Sequence, residues 1–196
     1  MRTEEAGELL GERFVEALAY AARLHRGQRR KVTGVPYISH LLAVAALVIE
    51  DGGCEDCVIA ALLHDAAEDQ GGMATLAVIR ARFGEQVADW VCACTAKPLQ
   101  PGEDWRSHKQ AYLAQVRAAP LAVQRIVLAD KLHNGRSLLT NLSLVGPDMW
   151  KEFSGESADV VWFYGKCCEL FEGLGEMGKQ IRVIQRSLAQ SSESDG

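Results

Sequence analysis

The chain has 196 residues, of which 48% are hydrophobic, and this is enough for one globular domain with a full-sized core. Its net charge of −5 provides no general attraction to nucleic acid or to an anionic membrane. The first residues are amphipathic, and no run of about 18 apolar residues occurs. We therefore expect a cytoplasmic protein that binds neither nucleic acid nor membranes. Nothing in the sequence indicates an oligomeric state.

Apolar residues recur at helical intervals, and no stretch alternates as a strand would, so the sequence predicts an all-α fold. We expect one domain over residues 1–190, with a motif-bearing core at about 6–140, covering helices at about 148–190 and a disordered tail at 191–196. The predicted helices are 8–24, 41–50 with Ser39 as N-cap, 57–69, a pair around 76–83 and 87–94, 105–118, one that begins near Pro120 and ends in 130–136, and 177–188.

Six cysteines occur as three close pairs: Cys54 and Cys57, Cys92 and Cys94, and Cys167 and Cys168. The pairs lack the repeated C-x-x-C spacing of a structural zinc site. In a reducing cytoplasm we interpret them as free thiols, several of them in the core.

The central helix changes character at its end. Residues 60–63 are wholly apolar, and four polar groups then follow within six residues: His64, Asp65, Glu68 and Asp69. On a continuous helix of about 100° per residue, these four side chains would share one side.

Histidines and carboxylates at the ends of apolar helices are costly to desolvate unless a cation or an ion pair compensates them. A bound metal ion would do so, and the candidate ligands are His40, His64, Asp65 and Asp130, from three helices. Such a mixed nitrogen and oxygen set suits manganese, iron or zinc without choosing among them. Taken singly, each residue has a structural alternative as a hydrogen-bonded core histidine or a helix cap, so the prediction depends on the combination.

The four stretches that carry chemistry, residues 25–31, 33–40, 60–69 and 128–136, resemble in order the hydrolase domain of the RelA/SpoT stringent-response enzymes and of stand-alone small alarmone hydrolases. The resemblance spans roughly residues 6–140. It implies an HD-domain phosphohydrolase helical bundle that holds one manganese ion through the same four ligands. It also implies that Glu68 and Asp69 handle the attacking water.

By the same resemblance, substrate would be bound by Arg30, Lys31, Thr33, Asn134 and Ser137. The basic residues 29–31 independently favour a phosphate ligand, although a solvated loop is the alternative. The implied reaction is removal of the 3′-pyrophosphate of guanosine tetra- or pentaphosphate. The chain after residue 140 is too short for a synthetase domain, so we expect a hydrolase alone.

The sequence departs from the family pattern at two places. Val32 lengthens the spacing between the basic residues and Thr33, so the assignment of Arg30 and Lys31 is open by one position. Residues 94–97 lack the expected acidic residues, and substrate preference could have changed in the following loop, which carries Trp105, Arg106 and Lys109.

Two alternatives to the implied reaction stay open. The first is hydrolysis of another nucleotide, such as NADPH at its 2′-phosphate or an adenosine alarmone. The second is an inactive nucleotide-binding regulator, against which the intact ligands and the Glu68 and Asp69 pair argue.

Overall fold

The computed structural model of the chain describes residues 10–152 and 157–193. Over these residues the prediction of an all-α fold is confirmed, since the only β-type pairing described is an isolated bridge between Arg29 and Pro36. The elements are α1 (Glu12–Leu24), α2 (Ile38–Glu50), α3 (Glu55–Leu63), α4 (Ala66–Asp69), α5 (Gly72–Phe83), α6 (Glu85–Cys94), α7 (Trp105–Ala118), α8 (Leu121–Val145), a 3₁₀ segment (Gly146–Glu152), α9 (Ser157–Leu170) and α10 (Gly175–Glu193).

Helix α3 lies at the centre of the core. Every residue from Cys57 to Leu63 is at most 1% exposed, because α1, α2, α6 and α8 all pack against this helix. A helix that is apolar on all sides needs this complete cover. The residues that follow α3 are therefore held against the most rigid part of the molecule.

The predicted helix 57–69 is not continuous, which corrects the sequence interpretation. Helix α3 ends at Leu63, and the short α4 begins at Ala66, with a turn at His64 and Asp65 between them. At this turn the His64 Nδ1 atom lies 2.7 Å from the carbonyl oxygen of Ala61. The histidine side chain therefore hydrogen-bonds to a backbone carbonyl near the end of α3. The interruption coincides with the two adjacent candidate ligands.

Helix α2 begins at Ile38, and Ser39 is not its N-cap as predicted. Tyr37 occupies the cap position without a side-chain hydrogen bond. The first amides instead donate to backbone carbonyls three residues earlier, Ser39 to Pro36 at 3.1 Å and His40 to Tyr37 at 2.9 Å. These tight turns provide hydrogen-bond acceptors for backbone N–H groups at the start of the helix, which is what a serine cap would otherwise have done.

Helix α8 corrects a further prediction, because it does not end in residues 130–136. It continues to Val145, and Asp130 lies near its middle. Leu132, Gly135 and Leu138 extend its buried face beyond the polar residues and against the C-terminal helices. The polar motif therefore projects from the side of a long helix.

The two ends of the described chain also differ from expectation. Helix α1 begins at Glu12, and the start of the predicted helix 8–24 lies outside the described residues. Helix α10 ends at Glu193, so 191–193 are helical, while 194–196 lie outside the described residues. None of the helices described is long and apolar enough to cross a membrane.

At Gly135, helix α8 packs closely against the C-terminal helices. A Cβ added there would lie 2.6 Å from Cγ2 of Ile184 on α10 and 2.9 Å from Cε1 of Tyr164 on α9. Such contacts are too short for a packed interior. Only glycine fits at this crossing unless Ile184 and Tyr164 shift.

We predict that Gly135→Ala destabilises the protein by about 1–3 kcal/mol through overpacking. The matched control is Gly165→Ala on α9, because a Cβ there meets nothing within 4 Å and alanine favours a helix by about 0.5–1 kcal/mol. Urea unfolding of both variants measures the two effects. A G135A protein as stable as the wild type would contradict this account of the helix crossing.

Candidate metal centre and substrate groove

The four candidate ligands converge on one point although they come from separate elements. His40 is in the first turn of α2, His64 and Asp65 form the break after α3, and Asp130 lies within α8. Ligand atoms of His40, His64 and Asp65 all lie within 4.8 Å of one another. Asp130 completes the set, with Oδ1 3.2 Å from His40 Nε2 and 3.8 Å from His64 Nε2.

The two histidines present the same ring nitrogen to the carboxylates. His64 Nδ1 lies 2.7 Å from the Ala61 carbonyl, which can only accept, so Nδ1 carries the hydrogen and Nε2 is the lone-pair donor of the neutral ring. His64 Nε2 is 3.0 Å and His40 Nε2 is 3.5 Å from Asp65 Oδ2. Both Nε2 atoms are buried and lack a well-formed hydrogen bond within the described residues.

The electrostatics favour a positive charge between these groups. Burial opposes charge on His64, but Asp65 and Asp130 outweigh it and raise the pKa of His64 well above its usual value. The pKa of Asp130 is held well below its usual value by Lys131 and the two histidines, against the effect of burial. A proton or a metal ion can supply the charge, and the two compete for the same nitrogen.

These observations fit a divalent metal ion. The orphaned Nε2 atoms of His40 and His64 and the facing oxygens of Asp65 and Asp130 form a mixed donor set in a buried place. Imidazole together with carboxylate suits several first-row metals. The described residues therefore include a cluster of His40, His64 and Asp65 that could hold such an ion, and the four-ligand set stays a prediction.

Three supporting contacts were not anticipated from the sequence. The Tyr37 hydroxyl donates to Asp65 Oδ2 at 2.6 Å, the Lys131 ammonium donates to Asp130 Oδ2 at 2.7 Å, and His133 Nδ1 lies 2.8 Å from His40 Nδ1. Such outer partners fix ligand orientation. The spacing contained a signal, because Tyr37 precedes His40 by three residues and His133 follows Asp130 by three.

The contact between His133 and His40 bears on which nitrogen of His40 is free. Burial, followed by His40 and Arg30, lowers the pKa of His133 to about 4, so His133 is neutral at physiological pH. A neutral His133 can accept a hydrogen from His40 Nδ1. In that arrangement His40 keeps an unprotonated Nε2 that faces Asp65 and Asp130.

The predicted catalytic carboxylates are on α4, beside the four candidate metal ligands. Glu68 lines a cavity of about 190 Å³ that also contains His64, Asp65 and Asp130. Burial and the neighbouring Asp65 raise the pKa of Glu68. Asp69 faces the adjoining groove, and Gln28 Nε2 donates to its Oδ2 at 2.7 Å.

A groove of about 730 Å³ opens next to this cavity and contains every residue predicted to bind substrate: Arg30, Lys31, Thr33, Asn134 and Ser137. Arg30 and Asn134 are in direct contact, with Arg30 Nη2 donating to Asn134 Oδ1 at 2.8 Å. Asn134 Nδ2 in turn donates to Asp130 Oδ1 at 2.5 Å. A chain of hydrogen bonds therefore links the basic loop to the candidate ligand Asp130.

The additional residue in the basic loop has a conformational consequence. Val32 adopts φ 37°, and among the described non-glycine residues it alone has a positive φ. This conformation is strained for a β-branched side chain. Lys31 and Thr33, on either side of it, both line the groove. Arg136 also lines the groove, and its Nη2 donates to Gln180 Oε1 at 2.6 Å.

Comparison with known proteins places these features in a family. The HD domain family matches residues 17–154. The chain is 36% identical over 187 residues to guanosine-3′,5′-bis(diphosphate) 3′-pyrophosphohydrolase MESH1 of Homo sapiens, with 94% of each protein covered. It is 33% identical over 149 residues to a probable guanosine-3′,5′-bis(diphosphate) 3′-pyrophosphohydrolase of a Synechocystis strain, covering 74% of this chain and 18% of that protein.

Solved structures agree in fold. A metazoan orthologue of SpoT, described as hydrolysing ppGpp, superposes with a TM-score of 0.73 and 24% identity over 90% of this chain and 95% of its own. A protein of Listeria monocytogenes EGD-e superposes with a TM-score of 0.62 and 30% identity over 77% of this chain and 97% of its own. The chain therefore belongs to the HD-domain family and, within it, to the relatives of MESH1.

Proposed function

We propose that this chain is a metal-dependent guanosine-3′,5′-bis(diphosphate) 3′-pyrophosphohydrolase that uses manganese. The observation that carries the proposal is the meeting of two buried, unsatisfied histidine nitrogens with two carboxylates, next to Glu68 and a basic groove. A relative that is 36% identical over 94% of the chain is named for this activity. The nucleotide is the only partner that the proposal requires.

The proposed ligands of the ion are His40, His64, Asp65 and Asp130. When bound, a divalent ion at this centre lowers the pKa of a water molecule towards neutrality and polarises phosphoryl oxygens. Tyr37, Lys131 and Asn134 hold the carboxylate ligands in place through their hydrogen bonds. Manganese fits this donor set, and metal substitution would distinguish it from iron and zinc.

The reaction joins the oxygen of water to the phosphorus that carries the ribose 3′-oxygen. The bond between that phosphorus and the 3′-oxygen breaks, and GDP and pyrophosphate are released from the tetraphosphate. Glu68 takes a proton from the attacking water and returns it to the released 3′-oxygen, so the protons balance. The raised pKa of Glu68 suits a group that must both accept and return a proton.

The remaining proposed residues bind and orient. Asp69 accepts a hydrogen bond from Gln28 and faces the groove, and its proposed role is to orient the water. Arg30 and Lys31 meet phosphates or the base, and Thr33 and Ser137 line the same groove. Asn134 connects the nucleotide to Asp130, because it contacts both Arg30 and that carboxylate.

We predict that Asp65→Ala removes metal binding and turnover together, because it deletes a ligand and leaves two histidines without their partner. Metal affinity should fall by about 100-fold or more. Elemental analysis of the purified protein and calorimetric titration with Mn²⁺ measure this loss. Asp89→Ala, at an exposed aspartate paired with Arg80, is the matched control and should retain both properties. Unchanged turnover in D65A would exclude the metal mechanism.

Glu68→Gln should separate chemistry from metal binding. The variant keeps the size of the side chain but loses the proton acceptor, so we expect kcat to fall by about 10²–10⁴-fold with metal content unchanged. Steady-state kinetics with metal analysis of the same sample tests both statements. The exposed Glu176→Gln serves as control. Loss of metal in E68Q would show that Glu68 is a ligand, and full activity would remove it from the mechanism.

The substrate assignment is tested by parallel assays of the metal-loaded wild-type protein. We expect Mn²⁺-dependent release of pyrophosphate from guanosine tetraphosphate with the highest kcat/KM among guanosine tetraphosphate, its adenosine counterpart and NADPH. The departure from the family pattern at residues 94–97 is the reason for including the other two. An inert guanosine tetraphosphate together with dephosphorylated NADPH would replace the proposed substrate, and no turnover of any of the three would favour a regulator.

A further inference from the structure

Residues 94–97 differ from the family pattern. At the start of α7, which follows them, three residues have distinct roles in the structure. Arg106 pairs with Asp159 on α9 at 2.7 Å and lies over the Trp162 ring at 5.3 Å. Trp105 packs against the rings of Trp162 and Phe163, with centroids 6.3 and 6.2 Å away. These contacts join α7 to α9 and leave Lys109 as the residue that faces the site.

Lys109 lines both the cavity that contains Glu68 and the larger groove. Its ammonium lies over two aromatic faces, 5.5 Å from the centroid of Trp105 and 5.7 Å from that of Phe163. Cation–π contacts of this kind hold a cation in place without neutralising it. The charge of Lys109 is therefore positioned at the boundary between the metal cluster and the nucleotide groove.

Within the described part of the chain, the ammonium of Lys109 has no carboxylate partner, in contrast to that of Lys131. The Lys131 ammonium is 2.7 Å from Asp130 Oδ2, whereas Lys109 forms no ion pair with any side chain of the described residues. Burial and Lys131 lower the pKa of Lys109, and Glu68 acts in the opposite direction. A partly buried cation without a counter-ion is costly, and an anionic ligand removes that cost.

The position of Lys109 decides which part of the nucleotide it would meet. Arg30, Lys31 and Thr33 line the groove but not the smaller cavity, whereas Lys109 lines both. The group that is cleaved must reach the cavity with His64, Asp65 and Glu68. Lys109 is thus near the cleaved diphosphate, and the basic loop is left for the rest of the nucleotide.

We propose that Lys109 binds the 3′-diphosphate of the substrate and remains bound to the pyrophosphate product. This inference rests on the proposed function and adds a residue to it. Negative charge spreads over the non-bridging oxygens of the transferred phosphoryl group in the transition state, and a fixed ammonium stabilises it. Lys109 does not exchange a proton in this role, and it touches the substrate directly.

The test compares Lys109→Met, Lys109→Gln and Lys109→Arg with Lys166→Met. Lys166 is a lysine of α9 whose ammonium lies 2.8 Å from Glu169, and it lines neither cavity. Hydrolysis of guanosine tetraphosphate is measured at a constant free Mn²⁺ concentration, with inorganic pyrophosphate and GDP as separate product inhibitors. Thermal unfolding selects the uncharged variant that is as stable as the wild type.

We expect the uncharged variant to lose about 100-fold in kcat/KM, the usual effect of removing one transition-state charge partner. Its inhibition constant for pyrophosphate should rise at least about 10-fold, while that for GDP stays within about twofold. K109R should recover part of both, and K166M should match the wild type. An unchanged inhibition constant for pyrophosphate, or an equal rise for GDP, would overturn the assignment.

Direct calorimetric binding of inorganic pyrophosphate to the Mn²⁺-loaded proteins separates this inference from the proposed function. If the wild type fails to cleave guanosine tetraphosphate, the proposed function is wrong. Weaker pyrophosphate binding in the uncharged Lys109 variant, but not in K166M, would still support the anion site. Equal binding in all variants would refute the role of Lys109 whatever the substrate.

Discussion

The structure depends on placing two imidazole nitrogens opposite two carboxylates inside a nearly dry interior. His40 and His64 are 0% and 5% exposed, Asp130 is 7% exposed and the Asp65 side chain is 21% exposed, so water solvates this group of charges poorly. Such a cluster is stable only if charge is balanced locally and every ligand is oriented. The helices supply the orientation, because residues 57–63 of α3 are buried and α2 and α8 both pack against this helix.

Much of this arrangement could be predicted from the sequence, because helical periodicity and the positions of polar residues in apolar segments are local signals. These local signals predicted the all-α fold, most of the helices and the grouping of His40, His64, Asp65 and Asp130. The break at His64 could not be predicted, since both of its residues have ordinary helical propensity and the hydrogen bond to Ala61 depends on the ring orientation. The length of α8 was missed because polar residues in its middle resemble a helix end, and only packing against α9 and α10 reveals the continuation.

The supporting residues of the site were harder to foresee than the ligands themselves. Tyr37 and His133 each lie three residues from a candidate ligand, but their roles follow from contacts across 28 and 93 residues of chain. The sequence indicated only that Lys109 follows residues that differ from the family pattern. The structure shows that its ammonium lies over two aromatic rings and that it lines both cavities. Side-chain direction over such separations depends on tertiary packing, which spacing along the chain does not encode.

Helices α9 and α10 lie beyond the motifs but take part in the site. The Tyr164 hydroxyl donates to the carbonyl of Lys131 at 3.0 Å, and Phe163 lines the groove. Ile184 packs against Gly135, which has no side chain. These contacts support α8 at the turn that presents Asp130 and Asn134. The residues that form the site therefore extend past the HD-domain match, which ends at residue 154, and the C-terminal helices support α8 where it carries the site residues.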